Sequence, residues 1–221
     1  MGVKVVTGYI DIPNHPRGAH DYKALGEQLL GSLGDVEALV FDSEQQKVQD
    51  TWLASFIKGV PNLSHSVSDN PDKNTIAYHC VQHQKFEWLR TAAAEDKEAE
   101  IFVWIDYGIM HVPGVTASVI SKFLNRVDSY GKVTLPGCWI KKQDIDPAHP
   151  CWRFCGGVMI VPRALVKPFT AYAMGTAARY ISETRNVEWE VNTLARLELL
   201  DQVPMAWYQA DHNETIFTGA P

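Results

Sequence analysis

The 221-residue sequence predicts an α/β domain with a mixed, mostly parallel central sheet flanked by helices. Three observations lead there. Short β-branched runs alternate with amphipathic stretches through the first half, the pattern of strands joined by crossover helices. One run, residues 101–105 (IFVWI), is wholly apolar, as expected of a strand covered on both faces. No repeat, low-complexity tract or obvious linker interrupts the chain, so residues 1–221 read as a single domain with one large core.

The elements follow in order. Residues 3–10 (VKVVTGYI) form a first strand, and 22–33 a helix that stops at Gly34. A second strand at 36–41 leads to a helix over 44–58, ended by Pro61. Residues 61–72, rich in Pro, Ser, Asn and Asp, read as a loop. A helix over 75–94 precedes the strand at 101–105. The second half is less regular, with a helix at 116–127, strands at 132–135 and 154–161, helices opening at Pro162 and Glu188, and a last strand at 205–209. On a helical wheel of 75–94, Tyr78, Val81, Trp88, Leu89 and Ala92 share one arc, and His79, His83, Glu87 and Arg90 the other. Lys85 falls inside the apolar arc. It must either snorkel along its stem or meet an anion.

Composition narrows the function. Hydrophobic residues at 46% and charged residues at 21% exclude a disordered chain. No apolar run reaches the ~20 residues of a membrane span. The first residues run straight into a strand pattern without a signal peptide, and Val6 occupies the position a myristoylation motif reserves for Ser or Thr. The expectation is a soluble, cytoplasmic protein. The net charge of −6 and scattered basic residues, with a modest group at Lys141, Lys142 and Arg153, argue against a nucleic-acid binder. Cys80, Cys138, Cys151 and Cys155 read as reduced thiols. Cys151 and Cys155 beside His149 make a poor zinc site, because no second ligand pair follows.

Asp106 ends the apolar strand and stands just before Gly108. It is either a turn former or a ligand-site acid at the carboxyl edge of a sheet, where open α/β folds bind ligands. Gly156 and Gly157, inside FCGGVMIV, mark either a bulge or a close approach. Asp211 and His212 follow the last strand. Glu188 and Glu190 open a helix, as ordinary first-turn acids or as a base; Glu190 falls on the apolar arc with Leu194 and Leu197.

Together VVTGYIDI, KFEWLRTA, WIDYG, the CGG strand and VEWEVNTLA resemble the nucleotide-diphospho-sugar transferase (GT-A) fold, and within it the small bacterial HtrL/WlaTC-like family. The resemblance implies a glycosyltransferase that moves a sugar from a nucleotide-diphosphate donor, a UDP-sugar above all, to a hydroxyl acceptor. That acceptor is a glycan, small molecule, protein or modified nucleic-acid base. Expelling a nucleoside diphosphate needs cationic help. The resemblance therefore implies Mn²⁺ or Mg²⁺, with Asp106 as the matching acid. Gly108 stands where wider relatives carry a second aspartate, leaving His212 as replacement ligand, or Lys85 and Arg17 as cations. Thr7, Tyr9, Arg17, Lys85, Asp106, Gly156 and Gly157 become donor-site residues, and Glu190, then Glu188, the base of an inverting transfer. The phosphate loop GxxxxGK[ST], GxGxxG and GxSxG are all missing. A nucleotidyltransferase, or a binding protein that has lost its metal site, are the competing expectations.

Overall fold

The computed structural model describes every residue except Met1, Pro16, Arg17, Asp69, Asp72, Ser129 and Tyr130, and only the backbone of Ala19 and His20. In chain order it comprises β1 (Val3–Gly8), α1 (Ala19–Gly31), β2 (Ala38–Phe41), α2 (Trp52–Ile57), β3 (Ser64–His65), α3 (Ile76–Glu95), β4 (Ile101–Ile105) and α4 (Ala117–Leu124). The second half adds β5 (Val133–Gly137), β6 (Val158–Pro162), α5 (Arg163–Thr184), β7 (Asn186–Val187), α6 (Glu190–Leu200), β8 (Met205–Gln209) and α7 (Thr215–Thr218).

Six strands form one sheet in the order β2-β1-β4-β6-β5-β8. Five run the same way, and β6 alone is antiparallel to its neighbours β4 and β5. The mixed, mostly parallel sheet is as expected. β3 and β7 pair as a separate two-stranded ribbon, so the stretch expected as loop carries a short strand. Among the described residues, no helix is long and apolar enough to cross a membrane.

β4 shows why its sequence is apolar throughout. Side chains alternate across a strand, so Phe102 and Trp104 enter one core with Phe86, Trp88 and Leu89 of α3 and Phe169 of α5. Ile101, Val103 and Ile105 enter the other core, with Leu29 of α1, Phe123 of α4 and Phe217 of α7. Losing one of these large aromatics to alanine costs about 3–5 kcal/mol, so β4 is the rigid centre on which the site is built.

Three boundaries differ from expectation in ways that bear on the site or the core. The helix expected over 44–58 is a 3-10 turn at Val48–Asp50 followed by α2, because the Thr51 hydroxyl caps a fresh start by accepting the Ala54 N–H at 3.3 Å. Thr75 and Thr116 cap α3 and α4 in the same way, with the Tyr78 and Val119 N–H groups at 3.2 and 3.3 Å. The strand expected from Phe154 starts at Val158, leaving Gly156 and Gly157 in a turn before it. α6 starts at Glu190, so Glu188 lies outside the helix.

The wheel for α3 needs a larger correction. His79 and His83, placed on its polar arc, are buried. α3 packs on β1 and β4 of the sheet and against α2, α5 and α6, so it has little free face. The histidines are accommodated by hydrogen bonds: His79 Nε2 pairs with the Ser66 carbonyl at 2.8 Å. His83 Nδ1 pairs with the His79 carbonyl at 2.9 Å, and its Nε2 with Thr193 Oγ1 at 3.1 Å. Burial pushes both imidazoles down to about 4 and keeps them neutral.

Candidate functional site

The chain passes from β1 out to β2 and returns on the other side to β4, so a crevice opens where the strand order reverses. A cavity of about 530 Å³ occupies this place, lined from the ends of β1, β4, β5 and β8 and from the turn that enters β6. Its lining includes Tyr9, Lys85, Asp106, Gly156, Gly157, Glu190 and His212. Those sequence-predicted residues converge there.

At the β1 side the wall is aromatic. Tyr9 stacks between Tyr22 and Tyr107, at centroid distances of 5.1 and 5.7 Å, and its hydroxyl donates to Asp11 at 3.1 Å. Burial, then that carboxylate, push the Tyr9 phenol upward, so it stays protonated. Tyr107 fits only because residue 26 is glycine: a Cβ there would lie 1.9 Å from its ring. His15 stacks on Tyr78 at 6.0 Å, and the Lys73 ammonium sits 5.3 Å over the same Tyr78 ring. Thr7 is a correction. It is fully buried, its hydroxyl has no partner among the described residues, and it does not line the cavity. It points into the core because β1 has a covered layer on each side, and only the residues beyond Thr7 emerge at the carboxyl edge. Arg17 lies outside the described residues.

The centre is ionic. Lys85 is 1% exposed and does not snorkel. Its Nζ donates to Glu190 Oε1 at 3.0 Å and the Gly156 carbonyl at 2.9 Å, and reaches Asp106 Oδ1 and Gln82 Oε1 at 3.4 Å. Burial alone would drive the proton off, yet the charges and hydrogen bonds of Asp106 and Glu190 outweigh it and hold the ammonium above the usual lysine range. Trp104 Nε1 donates to Asp106 Oδ1 at 2.8 Å, a tether that the apolar reading of β4 concealed. Two carboxylates therefore share one ammonium, leaving one net negative charge. Lys85 is saturated by protein groups, so it positions Asp106 and Glu190 rather than reaching a phosphate itself.

The glycine pair marks a close approach, and the approaching groups belong to the protein. A Cβ on residue 156 would lie 2.3 Å from Glu190 Oε1 and 3.2 Å from Lys85 Nζ. The Gly157 carbonyl accepts the Asp106 N–H at 2.9 Å, fixing the strand end. Glu188 is the second correction. Its carboxylate takes Arg196 Nε at 2.8 Å and Nη2 at 3.1 Å, away from the cavity lining. Burial pushes its pKa up, and Arg196 opposes that shift. It braces α6; it is not a base in the cavity.

At the β5–β8 side the lining is His111, His212, Cys138, Cys155, Trp139 and Trp152. His111 and His212 lie with ring centroids 5.8 Å apart. Cys155 is close to Cys138, Sγ to Sγ 3.7 Å, not to Cys151, which is buried apart from it. Burial, then Cys138, push the Cys155 thiol upward, which keeps it protonated. The two tryptophans escaped sequence reasoning because they lie in irregular chain. Their only signal was large aromatics in a segment with no helix or strand period to bury them.

Among the described residues no three His, Cys, Asp or Glu side chains converge as a metal cage. Asp106 keeps Oδ2 uncommitted to Lys85 and Trp104, and His212 adds an imidazole to the same lining. A hard oxygen and one nitrogen suit Mg²⁺ or Mn²⁺ bound together with diphosphate oxygens and water, the usual arrangement for such ions.

The fold places the chain in one structural class: this is the α/β architecture of the GT-A glycosyltransferases. Among solved structures it is similar to a glycosyltransferase involved in the glycosylation of the major capsid of PBCV-1. That likeness has a TM-score of 0.54 at 10% identity and covers 96% of this chain and 83% of that one. Two further likenesses are mouse xyloside xylosyltransferase 1 in its apo form and 4-diphosphocytidyl-2C-methyl-D-erythritol synthase from Anaerococcus prevotii. The first has a TM-score of 0.45 at 10% identity, covering 95% of this chain and 84% of that chain. The second has a TM-score of 0.43 at 11% identity, covering 95% and 89%. No protein-family model matches the sequence, nor does any curated protein.

Proposed function

We propose that the protein is a glycosyltransferase that moves a sugar from a nucleoside-diphosphate donor, a UDP-sugar by preference, to a hydroxyl acceptor with inversion. The observation that carries this reading is the Asp106–Lys85–Glu190 cluster at the switch point of a GT-A sheet, beside an aromatic wall. The motifs WIDYG and VEWEVNTLA, which hold Asp106 and Glu190, support kinship with the HtrL/WlaTC-like proteins.

In this reading the nucleobase packs against the wall formed by Tyr9, Tyr22 and Tyr107, whose mutual stacking stiffens it. Lys73 lies at that end and its ammonium counters the donor's negative charge. The diphosphate faces Asp106 Oδ2 and His212, the groups that would hold a Mn²⁺ or Mg²⁺ ion. Such an ion would offset the charge that grows on the departing diphosphate.

Glu190 performs the proton chemistry. The acceptor oxygen forms a bond to the anomeric carbon while the bond from that carbon to the diphosphate breaks. The nucleoside diphosphate leaves with the electron pair, and the acceptor's proton passes to the Glu190 carboxylate. Taking up that proton turns the net negative trio of Asp106, Lys85 and Glu190 neutral. Gly156 and Lys85 keep the carboxylate in one place, so little reorganisation is needed.

The test is donor consumption across a panel of nucleotide sugars, with and without hydroxyl acceptors. The reading expects release of the nucleoside diphosphate from at least one UDP-sugar. Binding of UDP with no turnover of any donor would instead favour a sugar-nucleotide-binding protein without transfer.

A further inference from the structure

We propose that the β5–β8 side of the cavity is the acceptor subsite and that it takes a neutral pyranose, stacked on Trp152. The inference rests on the glycosyl-transfer reading and deepens it.

Sheet order separates the two ends of the cavity. Tyr9 follows β1, Asp106 follows β4, and Cys138 and Trp139 follow β5, while Trp152 and Cys155 precede β6. The ionic cluster thus stands between the tyrosine wall and the tryptophan end. Five large hydrophobic side chains are exposed among the described residues, and Trp152, at 41%, is the one that also lines the cavity. Its position is held by backbone: its carbonyl accepts the N–H groups of Cys138 and Trp139 at 2.9 and 3.0 Å. Trp139 packs against Cys151 and Ala195 and carries the Lys142 ammonium 3.8 Å over its ring, so its indole is already covered. Trp152 keeps a half-exposed indole on a fixed backbone, which offers apolar contact at small ordering cost.

The occupant follows from the groups that share the cavity with that ring. A wholly apolar acceptor would strip water from the Asp106 and Glu190 carboxylates and return no hydrogen bond. An anionic acceptor would meet two carboxylates balanced by one ammonium. A neutral pyranose avoids both penalties: its C–H face lies on an indole while its hydroxyls donate to carboxylates.

The experiment uses the full chain with saturating UDP and three neutral disaccharides, lactose, maltose and cellobiose, followed by saturation-transfer NMR. The expected result is transfer to ring protons of at least one sugar. Trp152→Ala should weaken that binding tenfold or more and Trp152→Phe should keep most of it. Tyr172→Ala, an exposed aromatic outside the cavity lining, should behave as wild type. Melting temperatures of all three variants confirm that they are folded. UDP binding without any sugar binding, or a Trp152→Ala protein that binds sugar as well as wild type, overturns the subsite and leaves the donor reading standing. Failure of UDP itself to bind overturns the donor reading and the acceptor assignment with it.

Discussion

Lys85 carries more of the site than any other side chain, and its substitution has two separable effects. Lys85→Met keeps the length of the stem but leaves Glu190 and Asp106 facing each other without a cation. Breaking a buried pair from one side costs about 3–5 kcal/mol, because the stranded charge stays in the interior. Urea unfolding should show that loss, and a loss below about 1 kcal/mol would mean that the carboxylates are solvated. Glu190→Gln is milder, since the amide still fits beside Gly156 and Lys85. Donor binding and melting temperature should hold while turnover of the competent donor falls by roughly 10²–10⁴, the usual worth of a positioned base. Unchanged turnover would remove Glu190 from the chemistry. Residue-level legibility followed chemical contrast. A lysine in an apolar arc and an acid ending an apolar strand were visible in the sequence. Thr7 and Glu188 were misplaced because one residue of register decides whether a side chain enters the core, the cavity or a neighbouring helix. The Trp104–Asp106 hydrogen bond gave no signal, since an indole reads as apolar whether or not its N–H is used.

At the scale of elements, α3 ties stability to pH. Burial lowers the pKa of His79 and His83 to about 4 in the folded chain, against about 6.5 when unfolded. Between those values the unfolded chain binds protons that the folded chain refuses, so stability is full above about pH 6.5 and falls as the pH drops toward 4. A displacement of this size corresponds to up to about 3 kcal/mol for each histidine. Urea midpoints at pH 7.5, 6 and 5 should decline steadily, and replacing His83 with Gln should flatten part of the slope. Equal midpoints across that range would show that both imidazoles are accessible to protons. The helical wheel failed here because polarity scales treat histidine as a surface residue. A neutral imidazole with carbonyl and hydroxyl partners is at home inside a helix packed on both sides. Capping threonines were better guides than periodicity. Thr51 splits one expected helix in two, and Thr75 and Thr116 fix the starts of α3 and α4 close to where the pattern placed them.

At the scale of the whole molecule, the alternation of strands and helices sufficed for the α/β class and the mostly parallel sheet. It did not reveal that β6 runs backwards between β4 and β5, or that β8 closes the far edge. Strand order is settled by long-range packing of faces whose sequences look alike, so periodicity cannot rank the alternatives. The proposed function depends on that order, because it sets the tyrosine wall, the ionic cluster and the tryptophan end side by side along one sheet edge. The central claim is that this edge binds a nucleoside diphosphate, with Asp106 facing the phosphates. A calorimetric titration of UDP, with Mn²⁺ or with EDTA, into wild type and Asp106→Ala tests it directly. Saturable 1:1 binding strengthened by Mn²⁺ is the predicted result, with Asp106→Ala losing about thirtyfold in affinity, or ~2 kcal/mol, and most of the metal's gain. No UDP binding by folded wild type, or equal binding by the two proteins with Mn²⁺ present, would contradict it.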